Sequence, residues 1–224
     1  RLRSRGLGDV YKRQPRSDDL PWCMVPEKKI TPEDVKYVLS SHYQGTPYDP
    51  YGSSQSDQKG AFRSIGINRN DFMALLQMRP DQPEESRAVE WVAYASNAFN
   101  TMVPFYANVE RTPEYLANTT GTVSTDNFYW TSRLIAAMAD ASYNKSLFHL
   151  ERYEEAVLSA ARALVNGYDA KLAAEPDAAS RAALREEANT AIAAMLQEKA
   201  ADTLDKVLFE LSSQMKNAYS RSDA

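Results

Sequence analysis

The sequence predicts an α+β fold, on three observations. Short apolar runs punctuated by turn residues occupy roughly residues 60 to 109, the apolar period becomes helical from about residue 124, and the strand-like segments precede the long helices in one chain. Strands joined consecutively by short loops favour antiparallel pairing.

Taken in order, "LPWCMVPEKKITPEDVKYVLSSHYQG" carries a helix signature. Thr31 is placed to cap, Pro32 to open the first turn, and Glu33 and Asp34 to follow, with Val35, Val38 and Leu39 on one face and Gly45 as the stop. "TPYDPYGSSQSDQKGAF" then reads as a loop, its "YDPY" being either a substrate-facing segment or a proline turn. In "AFRSIGINRNDFMALLQMRP" two apolar runs flank "NRND" in a hairpin-like pattern. Ile65 and Ile67 alternate in the first run, and Met73, Leu75 and Gln77 oppose Phe72, Ala74 and Leu76 in the second.

A further strand is expected at "AVEWVAYAS" and another at "TMVPFYANV". Helices follow: one from "STDNFYWTSRLIAAMADASY", capped by Ser124 or Thr125 with Asp126 in its first turn, and two alanine-rich ones over residues 146 to 173 and 177 to 217. "AAEPDAASR" supplies the turn between those two.

The 224 residues are 43% hydrophobic and 25% charged with a net charge of -4, enough for a substantial core and without the basic blocks that nucleic-acid binding requires. No apolar run approaches the roughly 20 residues of a membrane-spanning helix. The single cysteine, Cys23, rules out an internal disulfide framework and lacks a neighbouring histidine that would mark it as a nucleophile, so it reads as a buried, inert, structural thiol. His42 and His149 have no ligand-spaced companions, and "GLGDVYK" follows no strand, so neither a metal nor a phosphate-binding cofactor is expected. His42 with Glu33 or Asp34 could suggest hydrolase chemistry, but nothing in the sequence orders them, and a helix-end histidine is the simpler reading.

The opening "RLRSRGLGDVYKRQ" lacks the apolar stretch of a signal peptide and looks foreign, like a translated sequencing-adapter scar. Residues 1 to 14 are therefore set aside, and residues 15 to 224 are expected to form the carboxyl-terminal part of one domain, with strands and helices to about residue 123 and mainly helix over 124 to 217. The compartment stays open, the cytoplasm being favoured.

Two polar residues stand out in apolar surroundings. Asn97, in "VAYASNAFN", is either a turn device ending a strand or part of a site, and Arg133, in "NFYWTSRLIAAM", is either a solvated arginine or a charge needing a partner or ligand. Taken together, "PEKKITPEDVKYVLSSHYQGTPYDPY", "SIGINR", "SNAFNTMVPFYANV" and "TGTVSTDNFYWTSRLIAAMAD" resemble the carboxyl-terminal part of the bacterial cysteine dipeptidases of the dipeptidase A type, over roughly residues 20 to 170.

That resemblance implies an N-terminal-nucleophile hydrolase: two antiparallel sheets sandwiched between helical layers, and a cysteine at the mature amino terminus that attacks a short-peptide substrate. Cys23 does not match the motif of that nucleophile, so this chain is expected to lack the catalytic thiol and to be inactive alone. By motif position, Asn97 would face the oxyanion and Arg133 would orient the nucleophile or hold a carboxylate, with Asn100, Asp126 and Asn127 as lesser candidates that caps or turns explain equally well. A sibling amidase and a secernin-like, non-catalytic interaction protein are the alternatives, and a homo-oligomer of the full-length parent stays open.

Overall fold

The computed structural model describes residues 22–23, 25–52 and 55–216, and the segment set aside, 1 to 14, lies outside them. The chain divides into two compact units, Arg1–Thr31 and Pro32–Ala224. The described residues of the first unit contain no helix or strand, and Cys23 among them is exposed, which corrects the expectation of a buried thiol. Every element described below belongs to the second unit.

Its elements run α1 (Pro32–Leu39), β1 (Phe72–Met78), β2 (Ala88–Tyr94), β3 (Val103–Tyr106), α2 (Glu114–Ala117), α3 (Phe128–Ala141), α4 (Tyr143–Ala174) and α5 (Ala178–Ser212). The three strands form one antiparallel sheet in the order β1-β2-β3, with Phe72 opposite Tyr94 and Val92 opposite Val103. The class is α+β, as predicted.

Alternation in β1 assigns its two faces. Met73 is buried while Phe72, Ala74, Leu76 and Met78 are exposed, so this edge strand carries an uncovered apolar stripe. On the opposite face Trp91 donates its indole N–H to Gln77 at 2.9 Å, and Tyr106 donates its hydroxyl to Asp169 of α4 at 2.7 Å. Burial and the Asp169 carboxylate together push the Tyr106 phenol well above its ordinary pKa.

The two long helices pair along one narrow stripe each. Leu150, Tyr153, Val157, Ala161, Val165 and Leu172 are buried on α4, and Ala188, Ile192, Leu196, Ala200 and Val207 on α5, at the three-and-four spacing read from the sequence. Glu175 to Asp177 make the turn between them, where the Asp177 carboxylate accepts the Ser180 N–H at 2.7 Å as an N-cap. The outer edge of β3 would leave backbone groups unpaired, and α5 fills that need with a side chain. Asn189 accepts from Tyr106 N at 2.8 Å and donates to Tyr106 O at 3.0 Å, standing in for a fourth strand at that residue.

Several sequence expectations are corrected. Residues 65 to 67 form a turn, not a strand: Ile67 N donates to Ile65 O, while Gly66 N reaches Ser41 O at 2.8 Å. A Cβ on Gly66 would lie 2.5 Å from Ser40 O, so that close approach admits only glycine. Gly66→Ala is expected to lower stability by about 1–3 kcal/mol in a denaturant titration, because the colliding atom is backbone.

α1 ends at Leu39 rather than at Gly45: its last carbonyl, Leu39 O, accepts from Asn97 Nδ2, and two residues past the helix Ser41 O accepts from Gly66 N. Gly45 instead adopts φ +74° in the following turn. The face of α1 is also different from the expected one. Val38 is exposed, whereas Pro32 and Lys36 are the buried residues.

α3 is capped by Asn127, not by Ser124 or Thr125, and Asp126 lies outside its first turn. Asn127 has the extended backbone a cap requires, and its side chain accepts Trp130 N at 2.9 Å, while Ser124 is committed to a turn with Asp126. Asn127→Ala should therefore cost about 1 kcal/mol of unfolding free energy.

Candidate active site

The sheet end where β1 begins and β2 finishes gathers the polar groups that the sequence singled out. Ala95 leaves β2 with φ +66°, an uncommon conformation for a residue with a side chain, and its N–H donates to Asp71 O at 2.9 Å. This left-handed step throws residues 97 to 100 into a tight turn in which Phe99 N donates to Ser96 O.

Asn97 is buried, only 4% exposed, and its amide is engaged on both sides. Its Nδ2 donates to Leu39 O of α1 at 3.3 Å, and its Oδ1 accepts from Asn100 Nδ2 at 3.4 Å. An amide nitrogen carries two donor hydrogens, so one bond to Leu39 leaves donor capacity. Asn100 holds the turn closed by donating to Tyr94 O and Ala95 O, each at 3.0 Å. Those carbonyl partners fix the orientation of its amide and leave Asn100 Oδ1 without a partner. Ser96 Oγ and Thr101 Oγ1 are likewise buried and unpartnered among the described residues. Three such atoms within six residues is a concentration of unmet hydrogen bonding, at about 1–3 kcal/mol for each polar group left so.

Arg133 lies on α3, two-fifths exposed, and forms an ion pair with the carboxylate of Asp71. It braces the same sheet end from outside, since Asp71 also accepts from Ala95, but no hydrogen bond joins it to Asn97 among the described residues. The pair is exposed enough that Arg133→Ala should change stability by at most about 1 kcal/mol. Asp126 and Asn127 serve the turn and cap before α3.

Sequence reasoning missed two buried groups beside the turn. Lys36 is 2% exposed and donates to Asn97 O at 2.8 Å and to Ser40 Oγ at 2.7 Å, with Glu154 of α4 at 3.9 Å. Burial lowers its pKa from the ordinary lysine value, and the Glu154 charge opposes that shift. The other group is Asp49 of "YDPY", which takes the place expected of Glu33 or Asp34 as the carboxylate partner of His42. Nδ1 of His42 lies 3.0 Å from Asp49 Oδ1, and both residues are buried.

Around this pair, Tyr51 and Tyr143 stack with centroids 4.6 Å apart, and Tyr51 meets Phe99 of the turn at 5.3 Å. The loop thereby packs an aromatic wall against the Asn97 turn. The signal available was the seven-residue interval from His42 to Asp49 across Gly45 and Pro47, short enough for a folded-back loop.

Tyr143 gives this wall a pH signature. Burial, with Asp49 and Glu151 nearby, pushes its phenol up to about 12. A raised folded-state pKa means that the folded chain holds the proton longer, so this stabilisation is intact below the ordinary value near 10 and is lost as pH rises towards 12. Tyr143→Phe should flatten part of the alkaline fall in stability, measured as melting temperature against pH.

No helix among the described residues is long and apolar enough to cross a membrane. The pattern of Peptidase family C69 matches residues 4–156. A Streptococcus pyogenes protein named "Probable dipeptidase A" is 47% identical over 218 residues, which is 97% of this chain and 45% of the relative. A Bifidobacterium longum protein named "Dipeptidase" is 40% identical over 94% of this chain and 46% of its own length. "Dipeptidase A" of Lactobacillus helveticus is 43% identical over 58% of this chain and 27% of its own length. The chain thus spans less than half the length of these curated relatives. The family match covers the helix, the three strands and the turn that carries Asn97, and by that extent of similarity the chain belongs to Peptidase family C69.

Proposed function

We propose that these residues form part of a dipeptidase that hydrolyses short peptides by thiol attack, with Asn97 as a donor to the oxyanion. The similarity to proteins named dipeptidase, at up to 47% identity across nearly the whole chain, carries this reading. A cysteine at the mature amino terminus would attack the peptide carbonyl, its own α-amino group taking the thiol proton and passing it to the leaving amine, and water would then release the acyl group. The negative oxygen formed in between is where a buried amide at a strand end is worth most.

In this reading the thiol lies outside the described turn and is not Cys23, which does not match the motif of that nucleophile. The unpartnered Ser96, Asn100 and Thr101 atoms support a further segment or substrate packing at this sheet end, and the apolar stripe of β1 supports a second layer over the sheet. Arg133 would act through Asp71, steadying the end of β1, or would hold a carboxylate with its remaining donors.

The test is to express a full reading frame containing these residues and assay it against a panel of dipeptides. Hydrolysis should survive Cys23→Ala and vanish when an amino-terminal cysteine is changed to alanine, while purified residues 15 to 224 should give no turnover. Turnover by those residues that Cys23→Ala abolishes would overturn the mechanism. Arg133→Lys should lower kcat while the protein stays folded, because it removes the planar fork and keeps the charge.

A further inference from the structure

We infer that Lys36 is a positioning residue for the reaction, fixing the peptide unit of Asn97 and with it the side-chain amide; the inference rests on the assignment of Asn97 to the oxyanion. A short amphipathic helix ordinarily lays an aliphatic residue against its neighbours. α1 does pack the half-buried Leu39 against the core, but the residues it buries are Pro32 and Lys36, and Val38 is exposed. Ordering and desolvating a lysine side chain is costly, so its retention at this contact calls for what a charge supplies and a leucine does not.

The geometry shows what that is. Nζ of Lys36 engages groups from three elements: Ser40 just past α1 at 2.7 Å, the Asn97 carbonyl at 2.8 Å, and the Glu154 carboxylate of α4 at 3.9 Å. Asn97 returns the contact through Nδ2 to Leu39 O, so helix and turn are clamped in both directions. The two bonds use the backbone and the side chain of the same residue, and this removes the freedom of Asn97 to rotate as a unit. Because Lys36 and Asn97 are both buried, this hold acts at low dielectric.

Lys36 therefore touches neither substrate nor thiol in this scheme. Its lowered pKa agrees with a group held in place at some cost. Glu154 partly offsets that cost from the α4 side.

The experiment compares Asn97→Ala, Lys36→Met and the double variant in the full-length protein, measuring kcat, KM and thermal unfolding for each. Lys36→Met should lower kcat by about 30-fold with KM changed less than threefold, and in the Asn97→Ala background the same change should cost little more. Losses that multiply in the double variant, or a Lys36→Met enzyme within threefold of the parent while Asn97→Ala is impaired, would overturn the inference. Unimpaired Asn97→Ala would instead remove the oxyanion assignment itself, and that single variant tells the two failures apart. If Lys36→Met does not fold, Lys36→Gln, which keeps a donor without the charge, is read in its place: a fall in kcat of at least tenfold supports the inference, and a smaller one overturns it.

Discussion

Asn97→Ala in the full-length protein should lower kcat by about 10²-fold or more, the loss seen when one oxyanion donor is removed. The same substitution also deletes the bonds to Leu39 O and from Asn100, so a fall in stability of roughly 1–2 kcal/mol accompanies it. Asn97→Asp preserves shape and the acceptor towards Asn100 but loses the donor to Leu39 O together with the one to the oxyanion, so temperature separates the two effects: a catalytic role predicts a similar loss of kcat where the protein is fully folded. A variant that melts earlier yet turns over normally at low temperature would leave Asn97 as a turn residue alone. The burial of Asn97 matters here, since a donor at an exposed strand end would compete with water and be worth far less.

Asn189→Leu should be the most damaging change to the fold. Asn189 is 2% exposed and satisfies both the N–H and the carbonyl of Tyr106 at the outer edge of β3. Leucine removes both partners and leaves two buried backbone groups unpaired, at about 1–3 kcal/mol each, so a total of about 2–6 kcal/mol is expected. Denaturant unfolding of the chain measures it directly as a lower midpoint with an unchanged slope. If the midpoint moves by less than the equivalent of about 1 kcal/mol, water reaches that edge and the fourth-strand role of Asn189 fails. Because Tyr106 also contacts Val165 and Asp169, the damage should spread to the packing of α4 on the sheet.

Much of the chain's local structure was legible from periodicity. The stripe on α4 and α5, the alternation in β1 and the turn at Glu175 follow from spacing, because each reports only which side of an element meets the core. Most of the readings that failed depend on partners distant in sequence, the cap of α3 being the local exception. Ile65 and Ile67 alternate like a strand, yet Gly66 is drawn into a backbone contact with Ser40 and Ser41. Gly45 looks like a helix stop, yet Asn97, some fifty residues away, takes the last carbonyl of α1. Ser124 and Thr125 look like caps, and only the extended backbone at Asn127 decides among the three.

For the candidate site the division is similar. A polar residue in "VAYASNAFN" was conspicuous because its surroundings are apolar, and Arg133 was conspicuous for the same reason. Neither Lys36 nor Asp49 was, because a lysine in a short helix and an aspartate in a proline-rich loop are ordinary exposed residues until the fold buries them.

By itself the sequence determined the α+β class, the order of strands and long helices, and the membership of Asn97 in a strand-ending segment, because periodicity and turn chemistry are local. Only the tertiary structure decided that α1 rests on a buried lysine, that Lys36 and Asn97 clamp each other across 61 residues, and that His42 pairs with Asp49. Those choices belong to burial, and burial is fixed only when segments far apart in the chain exclude water from one another.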